Sequence, residues 1–134
     1  MKPLLIILLL VIFCFQSCGQ EVQKKTDKED FITFLSDFSS MSDFQKKRIS
    51  NKFIECEITT EGDSTCKLIK IKSWNHIKLV TNYVNRIYDD FNLNTNDTDE
   101  RVFSIERIEG GSSTYYYFQR KKGQWFLVKR VVYL

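Results

Sequence analysis

The chain has one proline, one histidine and five glycines in 134 residues, and its 20 lysines and arginines are interspersed with 17 acidic residues. Each scarcity excludes a class of function. His76 stands alone, and Cys14, Cys18, Cys56 and Cys66 include no C-x-x-C pair, so neither a structural zinc site nor a thioredoxin-like redox motif can be built. No G-x-S-x-G elbow presents a nucleophile to His76, which excludes the usual hydrolase triad. The glycines, at positions 19, 62, 110, 111 and 123, fall in a linker or in turns, and none forms a phosphate-binding loop. A net charge of +3 without clustered Lys/Arg is no nucleic-acid footprint. The residues call for no cofactor, and there is no internal repeat or low-complexity block. With 43% hydrophobic residues and a single proline, the body is globular, not disordered.

What is present begins at the N-terminus. Lys2 precedes an apolar run from Leu4 to Phe15. About twelve helical residues rise only about 18 Å, short of a bilayer span but of signal-peptide length. The run ends in Phe15-Gln16-Ser17-Cys18-Gly19, which resembles the lipobox of bacterial lipoproteins, in the looser form of the Bacteroidota. The resemblance implies a signal peptide over residues 1–17 and a lipid on Cys18. A flexible tether then runs to residue 28, before a single α+β domain over 29–134. It places the protein in the bacterial cell envelope, anchored to the outer membrane on its periplasmic or surface face. In that oxidising compartment Cys56 and Cys66 read as a disulfide.

Thr26-Asp27-Lys28-Glu29 has the capping-box pattern, and Phe31, Phe34, Leu35 and Phe38 behind it share one helix face. Ser42-Asp43-Phe44-Gln45 repeats the pattern and predicts a second, shorter helix to about Ile49. Phe53 to Thr60 alternates, Thr60-Glu61-Gly62 suits a three-residue hairpin loop, and the return strand starts at Asp63. This register puts Cys56 opposite Cys66 and Ile54 opposite Leu68. A third, longer helix is predicted from Ser73, with Ile77, Val80, Val84, Ile87 and Phe91 at its apolar spacing. Arg101 to Leu134 then forms a three-stranded antiparallel meander, turned at Gly110-Gly111 and at Lys121-Lys122-Gly123. A three-residue turn at the second site places Phe103, Ile105, Tyr116, Phe118, Phe126 and Val128 on one face. Tyr115, Tyr117, Trp125 and Leu127 fall on the other.

Tyr115, Tyr117 and Trp125 are therefore the candidate ligand site, a platform for a sugar or an apolar ligand. Asp90-x-Asn92-x-Asn94-x-Asn96 has calcium-loop spacing, but Thr95 stands where a glycine is needed and Arg101 where a glutamate is needed, so it reads as a solvated loop. The lysines from 46 to 78 read as a solvated face, with attraction to anionic headgroups as the sharper reading. Asp63-Ser64-Thr65 resembles the short O-glycosylation acceptor of Bacteroidota, which makes Ser64 a candidate glycan site.

Phe31-x-x-Phe34-Leu35-x-x-Phe38, Phe44-Gln45-x-x-Arg48-Ile49, Trp74, Tyr117-Phe118-x-Arg120 and Gly123-x-Trp125-x-Leu127 together resemble a Bacteroidota lipoprotein domain family of unknown function. The resemblance implies an NTF2-like, cystatin-like cone with a pocket between curved sheet and helices. Three readings follow. The first is a non-catalytic, lipid-anchored module that binds a small ligand, glycan or envelope protein. The second is an NTF2-like isomerase or hydrolase using a carboxylate and a tyrosine. The third is a structural or inhibitory partner protein.

Overall fold

The computed structural model of the protein describes residues 28–79, 84–106 and 111–134. The expected signal peptide, Cys18, the tether up to residue 27, and Gly110 of the first meander turn lie outside the described residues.

Helix α1 spans Phe31–Ser40 and helix α2 Ser42–Lys47. The aromatic stripe of α1 is buried as expected, with Phe31, Phe34 and Phe38 facing the core. Its cap differs from expectation. Asp30 is the N-cap, and its carboxylate accepts from Thr33 N at 2.8 Å, satisfying one of the helix's unpaired donors. Glu29 is thereby released for another partner. The cap of α2 also differs: Met41 holds that position without a side-chain bond, and Gln45 turns inward.

Six strands follow: β1 Ile49–Ile58, β2 Ser64–Leu68, β3 Val84–Tyr88, β4 Glu100–Glu106, β5 Ser113–Lys121 and β6 Gln124–Tyr133. They form one sheet in the order β2-β1-β6-β5-β4-β3, antiparallel except for the parallel β1/β6 pair. The helices lie over one face, where Phe118, Trp125 and Leu127 meet the phenylalanines of α1. Phe118 receives Phe31, Phe34 and Phe38 edge-on at 5.4–5.5 Å between ring centres.

The expected third helix is not formed. Ile71–Ser73 is a short 3-10 turn, residues 74–79 run without regular structure, and Val84–Tyr88 is an edge strand pairing with β4. The physical reason is visible in the backbone bonds. Ile77 N and O are taken by the Gln45 side chain, and Leu79 N by the Ser39 hydroxyl, so they are not available to a helical ladder. Val84, Ile87 and Tyr88 also suit a strand, and a short apolar spacing of this kind fits either element.

The first hairpin matches its predicted register. Cys56 lies opposite Cys66 and Ile54 opposite Leu68, Gly62 takes a left-handed φ of 89° in the loop, and the two cysteines form a disulfide. It closes a short loop, with a sequence separation of 10, which places its stabilisation near the low end of ~2–4 kcal/mol.

The second meander turn is one residue shorter than expected. Lys121 pairs with Gln124, leaving Lys122 and Gly123 as a two-residue turn with φ of 51° and 82°. A one-residue slip moves every side chain to the opposite face. Trp125 and Leu127 therefore join Phe118 on the helix side. An irregularity beside Tyr117 and Phe118 then restores the phase, so that Tyr117 lies opposite Lys129.

Candidate functional site

The Phe44-Gln45-x-x-Arg48-Ile49 segment joins the helices to the sheet. Gln45 is wholly buried and uses its amide fully. Its Nε2 donates to Phe38 O at 2.7 Å and Ile77 O at 2.8 Å, while its Oε1 accepts from Trp74 Nε1 at 2.8 Å and Ile77 N at 2.9 Å. Arg48 forks onto Glu29, with Nη1 to Oε2 at 2.8 Å and Nη2 to Oε1 at 3.0 Å. Glu29 in turn accepts from Trp125 N at 2.8 Å, and its own carbonyl accepts from Trp125 Nε1 at 2.9 Å. These residues hold the entering chain against β6.

The predicted platform does not assemble. Trp125 is 0% exposed on the helix side, between the guanidinium groups of Arg101 and Arg120 and the edge of Phe31. Tyr115 and Tyr117 are half-buried on the opposite face. Tyr115 meets Tyr133 edge-on, Tyr117 meets Phe91, and burial is the largest cause raising both hydroxyl pKa values. Ser64 is exposed at the start of edge strand β2. His76 has a buried Nε2 with no hydrogen-bond partner among the described residues.

Two concavities merit comparison. A cleft of about 450 Å³ lies beside the start of α1 and the β3–β4 loop. Its charges answer one another: Arg101 faces Asp89 and Asp97, and Arg120 binds Asp99. Arg101 Nη1 further donates to Asp89 O, Thr98 O and Glu100 O, which ties down the loop. A smaller cavity of about 300 Å³ opens between β1, β6 and the 69–77 segment, with Glu55, Arg130, Trp74, Ile69 and Ile77 in its wall. The Glu55 side chain is 9% exposed; one oxygen meets Arg130 and the other Lys67 Nζ at 3.2 Å. Arg130 stacks over the Trp74 ring at 5.7 Å, and burial lowers its pKa. Tyr116 stands opposite Arg130 in register, its hydroxyl pushed up to about 12 by burial. Ser73 and Asn75 complete the wall, so that polar and apolar side chains share the lining.

Sequence reasoning missed Glu55 and Arg130. The alternation of Phe53 to Thr60 suggests Ile54, Cys56 and Ile58 as the inward set, yet Glu55 is buried beside Trp74 while Ile54 is 40% exposed. Their signal was a single acid within Phe53-Ile54-Glu55-Cys56 and a single arginine before Val131-Val132.

The Asp90 loop is self-satisfied. The Asp90 carboxylate accepts from Asn92 N at 2.8 Å, Asn94 N at 3.0 Å and Asn96 Nδ2 at 3.0 Å. The bond from Asn94 N is the largest cause holding its pKa below the ordinary 3.8. A carboxylate lowered on folding stabilises above its unfolded pKa, and that contribution is lost as pH falls through the folded value. Asp90→Asn is therefore expected to lower the urea midpoint most at neutral pH, with the gap to wild type narrowing as pH falls below the unfolded carboxylate range and through the lower folded value.

The family model described as a domain of unknown function (DUF4348) matches residues 12–131. The chain belongs to this family. No curated protein matches this chain. Among solved structures, the chain is similar to an NTF2-like protein from Bacteroides fragilis, with a TM-score of 0.56 and 20% identity over 81% of this chain and 49% of that one. It thus spans about half the length of that protein. It is also similar to an NTF2-like protein of unknown function from Shewanella baltica, with a TM-score of 0.44 and 13% identity over 75% of this chain and 87% of that one. The first likeness shows that this DUF4348 domain has an NTF2-like α+β fold. In detail it differs from the expected arrangement, having two helices and a six-stranded mixed sheet among the described residues.

Proposed function

We propose that this DUF4348 protein is a lipid-anchored, non-catalytic binding module of the bacterial cell envelope. It takes a small ligand with an anionic group into the cavity beside Trp74. The observation that carries this reading is the clamp on Glu55. Two cations share one carboxylate, which leaves one net positive charge beside a wall of Ile69, Ser73, Trp74, Asn75 and Ile77. The same clamp counts against the isomerase or hydrolase reading. A general base must be free to take a proton, and both Glu55 oxygens are engaged. Exposed apolar side chains on the sheet face away from the helices favour the partner-protein reading, since Ile54, Leu68 and Tyr133 are 40%, 64% and 40% exposed.

The test is a thermal-shift series on the mature protein with small carboxylates, muropeptides and fatty acids. A ligand at about 100 times its dissociation constant adds about 2.7 kcal/mol. Lys67 is 59% exposed, so Lys67→Met should change the unliganded stability by less than about 1 kcal/mol while weakening the shift from anionic ligands. A flat series would remove the small-ligand reading, and copurification of one stoichiometric protein would put a protein partner in its place.

The anchor and the glycan are read by one intact mass of the mature protein. The expected mass lacks residues 1–17 and carries acyl chains on Cys18, with a further glycan increment if Ser64 is modified. A mass equal to the bare polypeptide would sink both assignments.

A further inference from the structure

The place where the chain enters the folded body fixes one end of the domain. Glu29 N donates to Gly123 O at 2.8 Å, so the tether meets the domain at the β5–β6 turn. That turn carries Lys121 and Lys122, both exposed. Lys121 lines a shallow depression with Ile49, Asn51 and Ile71. Lys47 lies two residues before Ile49, Lys52 follows Asn51, and Lys70 and Lys72 flank Ile71; all four are exposed. The pairing agrees with this placement, because Ile69 N donates to Phe53 O at 3.0 Å and brings Lys70 level with Lys52. None of the six lysines makes an ion pair among the described residues; the lysines that do are Lys28 and Lys67. The acids near this end are engaged by other cations: Glu29 by Arg48, Asp89 and Asp97 by Arg101, and Asp99 by Arg120 and Lys28.

We propose that this lysine-rimmed flank is a docking surface for anionic lipid headgroups, which turns the β5–β6 end of the domain toward the membrane. The inference rests on the lipid-anchor reading. From Cys18 to Lys28 an extended tether reaches at most about 35 Å, whereas charge attraction fades over about 10 Å. The anchor alone therefore leaves orientation undetermined, and the six lysines supply the bias. Each lysine brought to an anionic surface favours that orientation about fivefold.

The experiment uses the mature lipidated protein in vesicles of phosphatidylcholine, with or without phosphatidylglycerol, and measures the rate of acylation at each lysine by mass spectrometry. Lys121, Lys122, Lys70 and Lys72 should react several-fold more slowly in the phosphatidylglycerol vesicles only, with the difference removed by high salt. Lys67 and Lys129 should react alike in both. The variant Lys70→Glu/Lys72→Glu/Lys121→Glu, confined to exposed positions, should fold as wild type and abolish the protection of Lys122. Equal rates in both vesicles, or protection centred on Lys67 and Lys129, would overturn the docking surface. A protein mass without acyl chains overturns the anchor instead. Sedimentation of that unlipidated protein with the same vesicles then decides the surface: loss of binding in the triple variant supports it, and no binding by wild type overturns it.

Discussion

Trp125→Ala is expected to destabilise the domain by about 3–5 kcal/mol, a large share of the 5–15 kcal/mol typical of a whole domain. Trp125 is 0% exposed and lies edge-on to Phe31 at 5.1 Å between ring centres. Arg101 and Arg120 lie over its ring at 5.3 and 4.7 Å, and its Nε1 satisfies Glu29 O at 2.9 Å. Truncation leaves a cavity, strands that carbonyl and removes the aromatic face from two guanidinium groups. Tyr115→Ala and Tyr117→Ala, at half-buried positions on the other face, should each cost less than about 2 kcal/mol. Urea unfolding of the three variants decides the matter. A midpoint for Trp125→Ala no lower than that of Tyr117→Ala would mean that the tryptophan is not in the core.

For Gln45→Leu the expected loss is of similar size, about 3–5 kcal/mol, although the side-chain volume hardly changes. The substitution removes partners from Phe38 O, Ile77 O, Ile77 N and Trp74 Nε1 at once. Its signature is local as well as global. Hydrogen exchange at Ile77 and Leu79 should speed up more than in β5 or β6, because the 74–79 stretch owes its path to that amide and to the Ser39 hydroxyl. A double-mutant cycle with Trp74→Phe should return a coupling above about 1 kcal/mol. Additive losses would show that the two side chains contribute separately.

The contrast between the two hairpins explains how far the sequence could be read. At Thr60-Glu61-Gly62 a glycine fixed the loop, and every partner from Ile54↔Leu68 to Cys56↔Cys66 followed. At Lys121-Lys122-Gly123 the glycine was equally visible, but Lys122 also takes a positive φ of 51°, which lysine seldom does. That one dihedral shortened the turn, and with it Trp125 crossed from a supposed ligand face into the core. The third helix failed for a different reason. The amide that claims the backbone of Ile77 lies 32 residues away, and no local pattern reports such a partner. The candidate cavity was hidden similarly, since Glu55 and Arg130 become neighbours only through the parallel pairing of β1 with β6.

That parallel pairing also sets the order in which the molecule can be assembled. β1 and β6 are both interior strands of the sheet, and residues as distant in sequence as Ile49 and Leu127 are paired across them. A chain delivered from its N-terminus, whether by a ribosome or through a translocation pore, can build the β1–β2 hairpin and the β3–β5 pairs early. These remain two separate pieces with unpaired edges until β6 arrives between them. Closure is thus a late, long-range event, of the kind that makes sheet proteins slow to fold. Until then the β1 and β5 edges stand open to other strands, an interval in which a holding chaperone would matter most.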